Sequence, residues 1–262
     1  MTCGVWTSRV GVTGDGKKCE PFTLIDGASR YLLRCQAVMR TDVETVWPVL
    51  NACFYEFGLP LAIRSDNGPP FASVAAGRLS PLAVRLVKAG VLPDHIDPAS
   101  PAQNGRLERL HRTLKQDTIQ PAARSRTAQN RRFQHFTKVY NHQRPHEALA
   151  MNVPASHYQA SVRTWSGRLR SPEYGQDVIV RRVRCNGEIK WNGQLLYISQ
   201  TLAGEPISID EQEHGIWTLR FGPVLLGTIN TKNQFCKPPP RRRGGGLQNK
   251  EQSAKTVTHV AS

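Results

Sequence analysis

The feature that most narrows how this chain can fold is a change of periodicity near residue 160. Before it, runs of strand length alternate with stretches of helical spacing. PFTLID and RYLLRCQAV, set about the turn-like Gly27-Ala28-Ser29, predict a hairpin between Glu20 and Val38. Asp42 can cap a helix over Val43 to Phe57, where Val46, Val49, Leu50, Cys53, Phe54 and Phe57 recur at helical spacing and Gly58 ends it. A short strand, LAIRS, stops at Asp66-Asn67-Gly68, and Leu79 to Ala89 reads as a second helix. An extended piece at His95-Ile96 leads into the Pro98-Ala99-Ser100-Pro101 loop, then a helix from about Asn104 and another from about Ala128 to Tyr140. This order predicts a mixed α/β layer structure.

After Asp177 the helical spacing is gone. VIVRRV, GEIKWNG, QLLYIS, PISIDE, GIWTLRF and VLLGTI are short β-runs punctuated by glycine, as a small barrel or sandwich requires. The expected organisation is an α/β domain over residues 1–160, a linker over 161–176, a β-rich domain over 177–235 and a flexible basic tail over 236–262. KPPPRRRGGG and the polar residues after it have little to bury.

Composition adds one strong constraint. Thirty-five Lys+Arg against 20 Asp+Glu give a net charge of +15 over 262 residues, the electrostatic signature of a protein that displaces counterions from phosphates. Charge alone fits ribosomal, membrane-surface and DNA-binding proteins equally. The cysteines (Cys3, Cys19, Cys35, Cys53, Cys185 and Cys236) lack zinc-site spacing and read as reduced thiols, Cys19 and Cys35 packing as small apolar side chains. No run of ~18 apolar residues and no signal-peptide pattern occurs, so a soluble cytoplasmic protein without a membrane partner is expected.

Two acidic residues stand where phosphodiester chemistry needs them. Asp66 ends an apolar strand before Asn67-Gly68, so a tight turn leaves its carboxylate at the strand's C-terminal edge, where sites form in open α/β sheets. Asp-Asn-Gly is equally a generic turn signal. In SPAQNGRLERLHRTLK, residues 100–115, Glu108 lies early in a helix with His111, Arg112 and Lys115 at i+3, i+4 and i+7. A solvated face carrying a Glu108–Arg112 ion pair explains that pattern as well.

Together these motifs carry a resemblance. IDGASRYLL, RSDNGPPFAS, QNGRLERLHRTLK and YNHQRPHEALAMNVPASHY, in this order between Asp15 and Tyr158, resemble the integrase core of bacterial insertion-sequence transposases. The resemblance implies a ribonuclease-H-like mixed sheet flanked by helices, followed by a small all-β barrel-like DNA-binding domain similar to Val178–Ile229. It implies DNA transposition by metal-dependent cleavage and strand transfer, with the second Asp of an Asp-Asp-Glu triad at Asp66 and the Glu at Glu108. The triad would hold two Mg²⁺ or Mn²⁺ ions about 3.5–4 Å apart. Double-stranded DNA and further copies of the chain are the expected partners, so the cytoplasmic protein would join the nucleoid when DNA-bound.

The pattern breaks at the first Asp. The family's first-strand motif, Trp-x-x-Asp-Phe-Lys-Gly, should precede Gly14-Asp15-Gly16, but VWTSRVGVTGDG stands there and the expected Asp coincides with Trp6 or Thr7. Neither can bind a hard cation as a carboxylate does. The third base of the Trp6 codon followed by the AC of any Thr7 codon encodes Asp, and permitted codons of the next residues give Phe-Lys-Gly-Trp. Residues 1–12 are therefore expected to be the first strand translated out of frame. The upstream helix-turn-helix region typical of such enzymes is not in the sequence. An inactive or N-terminally truncated copy, lacking a metal ligand and a central strand, is the expected consequence. Asp15 and Asp26 are weak substitutes for the lost ligand.

His111, Arg112 and Lys115 are the expected phosphate contacts on the catalytic helix, with Lys88 and Arg109 behind them. Arg181, Arg182, Arg184 and Lys190 are expected to form a basic DNA-binding surface on the β-domain, with Trp191 in its core and Arg241, Arg242 and Arg243 adding nonspecific attraction. A metal site through His142, His146 and Glu147 is a weaker reading than structural closure by RPHEAL, with Tyr140 and Leu149 in the core. The competing functions are a DNA-binding remnant without catalysis and a ribonuclease-H-type nuclease acting on hybrids.

Overall fold

A computed structural model describes residues 1–7, 13–96, 105–118, 121–212 and 215–238. The Pro98–Pro101 loop, Gln103-Asn104, residues 8–12 and Arg241–Arg243 lie outside them. The described residues divide into two compact units, one up to residue 170 and one from residue 171 on.

In the first unit, β1 (Thr2–Thr7), β2 (Glu20–Asp26), β3 (Leu32–Val38), β4 (Ala62–Ser65) and β5 (Leu92–His95) form one mixed sheet in the order β3-β2-β1-β4-β5. β1 to β3 are antiparallel neighbours, whereas β4 runs parallel to β1 and β5 parallel to β4. This is the expected ribonuclease-H-like arrangement, and it corrects one expectation: the central strand is present. Thr2–Thr7 pairs with β2 on one side and β4 on the other, and Cys3 and Val5 alternate into the core as strand periodicity requires.

Four helices cover the sheet. Asp42 accepts a hydrogen bond from the Thr45 amide at 2.9 Å and starts α1 (Val43–Phe57), which ends at Gly58 with φ +78°. That left-handed backbone favours glycine, and a Cβ there would meet the Ser161 carbonyl oxygen at 2.6 Å. Ser80 caps α2 (Pro81–Lys88). One apolar cluster joins Phe22, Leu24 and Ile63 to Leu50, Phe54, Leu82 and Leu86 of these two helices. A second joins Cys19, Ile25, Leu32 and Cys35 to Leu110 and Leu114 of α3 (Gly105–Thr118) and to Phe133, Phe136 and Tyr140 of α4 (Arg126–His142).

α4 also closes the exposed edge of the sheet. The Asn130 Oδ1 accepts from the Ala37 amide at 2.7 Å, while the buried Asn141 accepts from the Leu32 amide at 2.8 Å and donates to its carbonyl at 3.0 Å. Both spans are about 16 Å, three helical turns against five strand residues, so the two asparagines match the edge strand's length. Amides five residues apart ordinarily point to opposite edges. The bulge that lets β3 pass from Arg34 to Leu32 opposite consecutive β2 residues restores the parity.

Residues 161–170 run back over this unit. Arg163 donates to the Pro60 and Gly90 carbonyls, and Trp165 Nε1 to Asn51 at 2.8 Å.

The second unit is all-β. β6 (Ile179–Arg182), β9 (Pro206–Glu211), β10 (Trp217–Phe221), β11 (Val224–Ile229) and β12 (Phe235–Cys236) form an antiparallel sheet in the order β12-β11-β10-β9-β6. β7 (Glu188–Trp191) and β8 (Gln194–Tyr197) form a separate hairpin. Ile207, Ile209, Leu219, Phe221 and Leu226 are its buried core, with Trp191 packed edge-on against Trp217 at 4.9 Å. Tyr174 stitches the start of the unit to the sheet by donating to the Pro206 carbonyl and accepting from the Gly222 amide.

Candidate active site

β4 carries the apolar Ile63 into the core and delivers Asp66 just past the strand's last residue. The turn is held on two sides. Asp66 Oδ1 accepts from the Gly68 amide at 3.2 Å, and Asn67 Nδ2 donates to the Ile96 carbonyl at 3.0 Å, while Arg78 donates to Asn67 Oδ1. Burial raises the pKa of the Asp66 carboxyl, and the Gly68 amide offsets only part of that. A desolvated carboxylate with no cation among the causes of its shift is one that a bound cation would stabilise.

α3 approaches from the neighbouring strands. Its inner face consists of Leu110, His111, Leu114 and Thr118, all buried, and its outer face exposes Glu108, Arg112 and Lys115. His111 therefore does not belong to the phosphate-contacting surface expected of it. It is 5 % exposed, shares a 2.9 Å hydrogen bond with Thr23 Oγ1 and is held neutral, its pKa pushed down to about 4 chiefly by burial and further by Lys115. Three residues past Glu108, it takes the inward position that helical spacing assigns beside Leu110 and Leu114.

The strand register identifies the position between these elements. Thr23, which His111 touches, lies opposite Trp6 on β1. On the other side of β1, Gly4 lies opposite Arg64, so position 6 is level with Asp66. The backbone position that counting along the sequence gave for the first Asp is thus flanked by the Asp66 strand and the strand beneath α3.

The substitutes do not fill that role. Asp26 is at the other end of β2, opposite Cys3, where its Oδ2 accepts from the Ser29 amide and hydroxyl at 2.9 and 2.6 Å. Asp15 is bound within its own turn by Thr13 and Lys17, which hold its carboxyl below the usual range. Among the described residues no three His, Cys, Asp or Glu side chains come together as metal ligands. The described residues therefore do not by themselves make up the ligand set of a two-ion site, and no catalytic step through such ions follows from them.

On the outer face of α3, Arg112 and Lys115 are exposed. In the second unit, Arg181, Arg182, Arg184 and Lys190 are exposed, the first two on the edge strand β6, where Arg182 also donates to the Gly204 carbonyl. Trp191 is buried, as expected from the alternation of β7. His142 and Glu147 are exposed and Leu149 is only half-buried, whereas Tyr140 is in the core; His146 packs edge-on to it at 4.8 Å. Sequence reasoning missed one grouping: Arg30, Arg109 and Arg144 line one cleft with Tyr140 and His146. The RPH motif signalled two of these residues, but only the fold brings in Arg30.

Residues 89–154 match the family model described as "Integrase core domain", a segment that includes β5, α3 and α4. Among solved structures, the chain is similar to one in the simian T-cell lymphotropic virus intasome in complex with PP2A regulatory subunit B56 gamma, at 13% identity and TM-score 0.49, covering 92% of this chain and 79% of that one. It is also similar to the HTLV-2 integrase catalytic core domain in complex with magnesium, at 14% identity and TM-score 0.44 over 60% of this chain and 95% of that one. A third is the catalytic core domain of BIV integrase, at 17% identity and TM-score 0.43 over 60% and 92%. Residues 89–154 of the chain are thus an integrase-core-like segment within a mixed α/β unit.

Proposed function

We propose that the chain is a DNA-transposition protein of the bacterial insertion-sequence type, built to bind double-stranded DNA and join strands, whose cutting step is impaired because position 6 is Trp. The observation that carries this reading is the integrase-core match across α3 together with Asp66 at the C-terminal end of the strand beside β1. Asp66 and Glu108 are the carboxylates of the chemistry. A third at position 6 would complete a ligand set for Mg²⁺ or Mn²⁺, whose chemistry there would be Lewis-acid activation of a phosphodiester. Arg112 and Lys115 of the core, with Arg181, Arg182, Arg184 and Lys190 of the β-unit, contact phosphates and position DNA without reading bases. Copies of the chain associate to bring two DNA ends together.

The second reading, a DNA-binding remnant without catalysis, is favoured by the lack, among the described residues, of three grouped metal-ligating side chains. Incubating the full chain and its Trp6→Asp variant with the element's terminal duplex and Mn²⁺ separates the two. The wild type should retard DNA and leave it intact, and the variant should nick it at least tenfold above background. Efficient nicking by the wild type would overturn the impairment, no gain in a folded variant would favour the remnant, and absence of DNA binding would overturn both. A gene whose second frame at codons 6–11 lacks Asp-Phe-Lys-Gly would refute the frameshift origin.

A further inference from the structure

The first unit holds a cleft whose lining does not include Asp66. It encloses about 190 Å³ and is lined by, among others, Arg30, Arg109, Tyr140, Arg144, His146 and Glu147. Four parts of the first unit contribute: the β2–β3 turn, α3, the last turn of α4 and the segment that follows it. Arg30 holds a left-handed backbone with φ +64°, a conformation that costs an L-residue energy and persists where the surroundings impose it.

The chemistry of the lining selects an oxyanion. Three arginines and one carboxylate, Glu147, are among the lining residues, and Arg144 pairs with a second carboxylate, Asp117, at 3.5 Å. Guanidinium is planar, permanently charged and forked to match two oxygens of a phosphate. Arg30 and Arg144 both act on Tyr140 and on His146. Burial is the larger influence, raising Tyr140 to about 12 and lowering His146, so both rings are neutral hydrogen-bonding groups at pH 7. The His146 Nε2 is buried without a hydrogen-bond partner. A buried polar atom without a partner calls for an explanation, and at the wall of an arginine-lined cleft a hydrogen-bonding anion is one that fits.

We propose that this cleft grips a backbone phosphate of DNA, with Arg109 and Arg144 as its principal charges and His146 and Tyr140 as neutral donors. The assignment of DNA as the source rests on the function proposed above; the phosphate chemistry does not. Arg109 adjoins Glu108 on α3, so the grip fixes where a strand lies along that helix without reading its sequence.

Two measurements on the full chain test it. Anisotropy of a labelled duplex over a salt series should show that Arg109→Gln and Arg144→Gln each weaken binding roughly 5–10-fold and reduce the salt slope by about 1. Arg40→Gln, the same charge loss outside the cleft, should change affinity less than about twofold by the usual weakness of exposed charges. Titration with inorganic phosphate should move the His146 ring resonances of the wild type but not of Arg109→Gln. Cleft variants no weaker than Arg40→Gln would overturn the DNA assignment. A phosphate response without any DNA binding would leave the anion site standing and remove the proposed function instead. No phosphate response in the wild type would overturn the site itself.

Discussion

Asp66 and His111 show how single side chains are tuned by where the fold leaves them. The raised pKa of Asp66 means that its ionised form is less at home in the folded protein than in the unfolded chain, so its contribution works against stability as pH rises above the unfolded value. Asp66→Asn should therefore raise the melting temperature at pH 7 in metal-free buffer, and lower it relative to wild type only if the wild type already holds a cation. Scanning calorimetry distinguishes these. For His111 the depressed value, about 4 against 6.5, leaves the folded state neutral while the unfolded chain takes up a proton. Stability falls as pH drops from about 6.5 towards 4, by at most about 3 kcal/mol. His111→Gln should flatten urea-denaturation midpoints across that window, and an unchanged slope would mean that His111 is not the titrating group.

At the scale of elements, α4 matters as much as the helix that carries Glu108. Its Asn130 and Asn141 satisfy backbone groups of β3 that an edge strand otherwise offers to another chain. Asn141→Ala leaves both the Leu32 amide and carbonyl without a buried partner, and should cost about 2–4 kcal/mol in chemical denaturation. Asn130→Ala, losing one bond, should cost about half as much. Most helices and strands were legible, because Val46 to Phe54 announce the period of α1 and Asp42 and Gly58 its ends, but β1 was not: its Cys3/Val5 alternation into the core emerges only from the pairing with β2 and β4. The asparagine clasps were not. Each spans more than 90 residues in sequence and depends on a bulge at Leu33 that no local pattern encodes.

For the whole molecule, the order of strands and helices made the mixed sheet and the all-β unit readable, since interleaved and uninterrupted β-runs demand different layers. The placement of the candidate residues was readable in part. Asp66 follows from strand termination, but the direction of His111 depends on which face of α3 packs on β2, and the basic cleft depends on the β2–β3 turn bringing Arg30 to α3 and α4. Position 6 was legible as a departure from a motif, and the register of β1 against β2 and β4 gives that departure a place. β1 forms without a carboxylate at position 6 because a central strand needs only alternating apolar residues and paired amides, whereas a metal site needs one particular side chain.

Binding of Mn²⁺, followed by electron paramagnetic resonance, tests whether position 6 is the missing ligand position. The account predicts weak binding by the wild type, an affinity at least tenfold higher in Trp6→Asp or Thr7→Asp, and loss of the gain when Asp66→Asn is added to that variant. Equal Mn²⁺ affinity in the wild type and in both folded position variants, or a gain that survives Asp66→Asn, would contradict it.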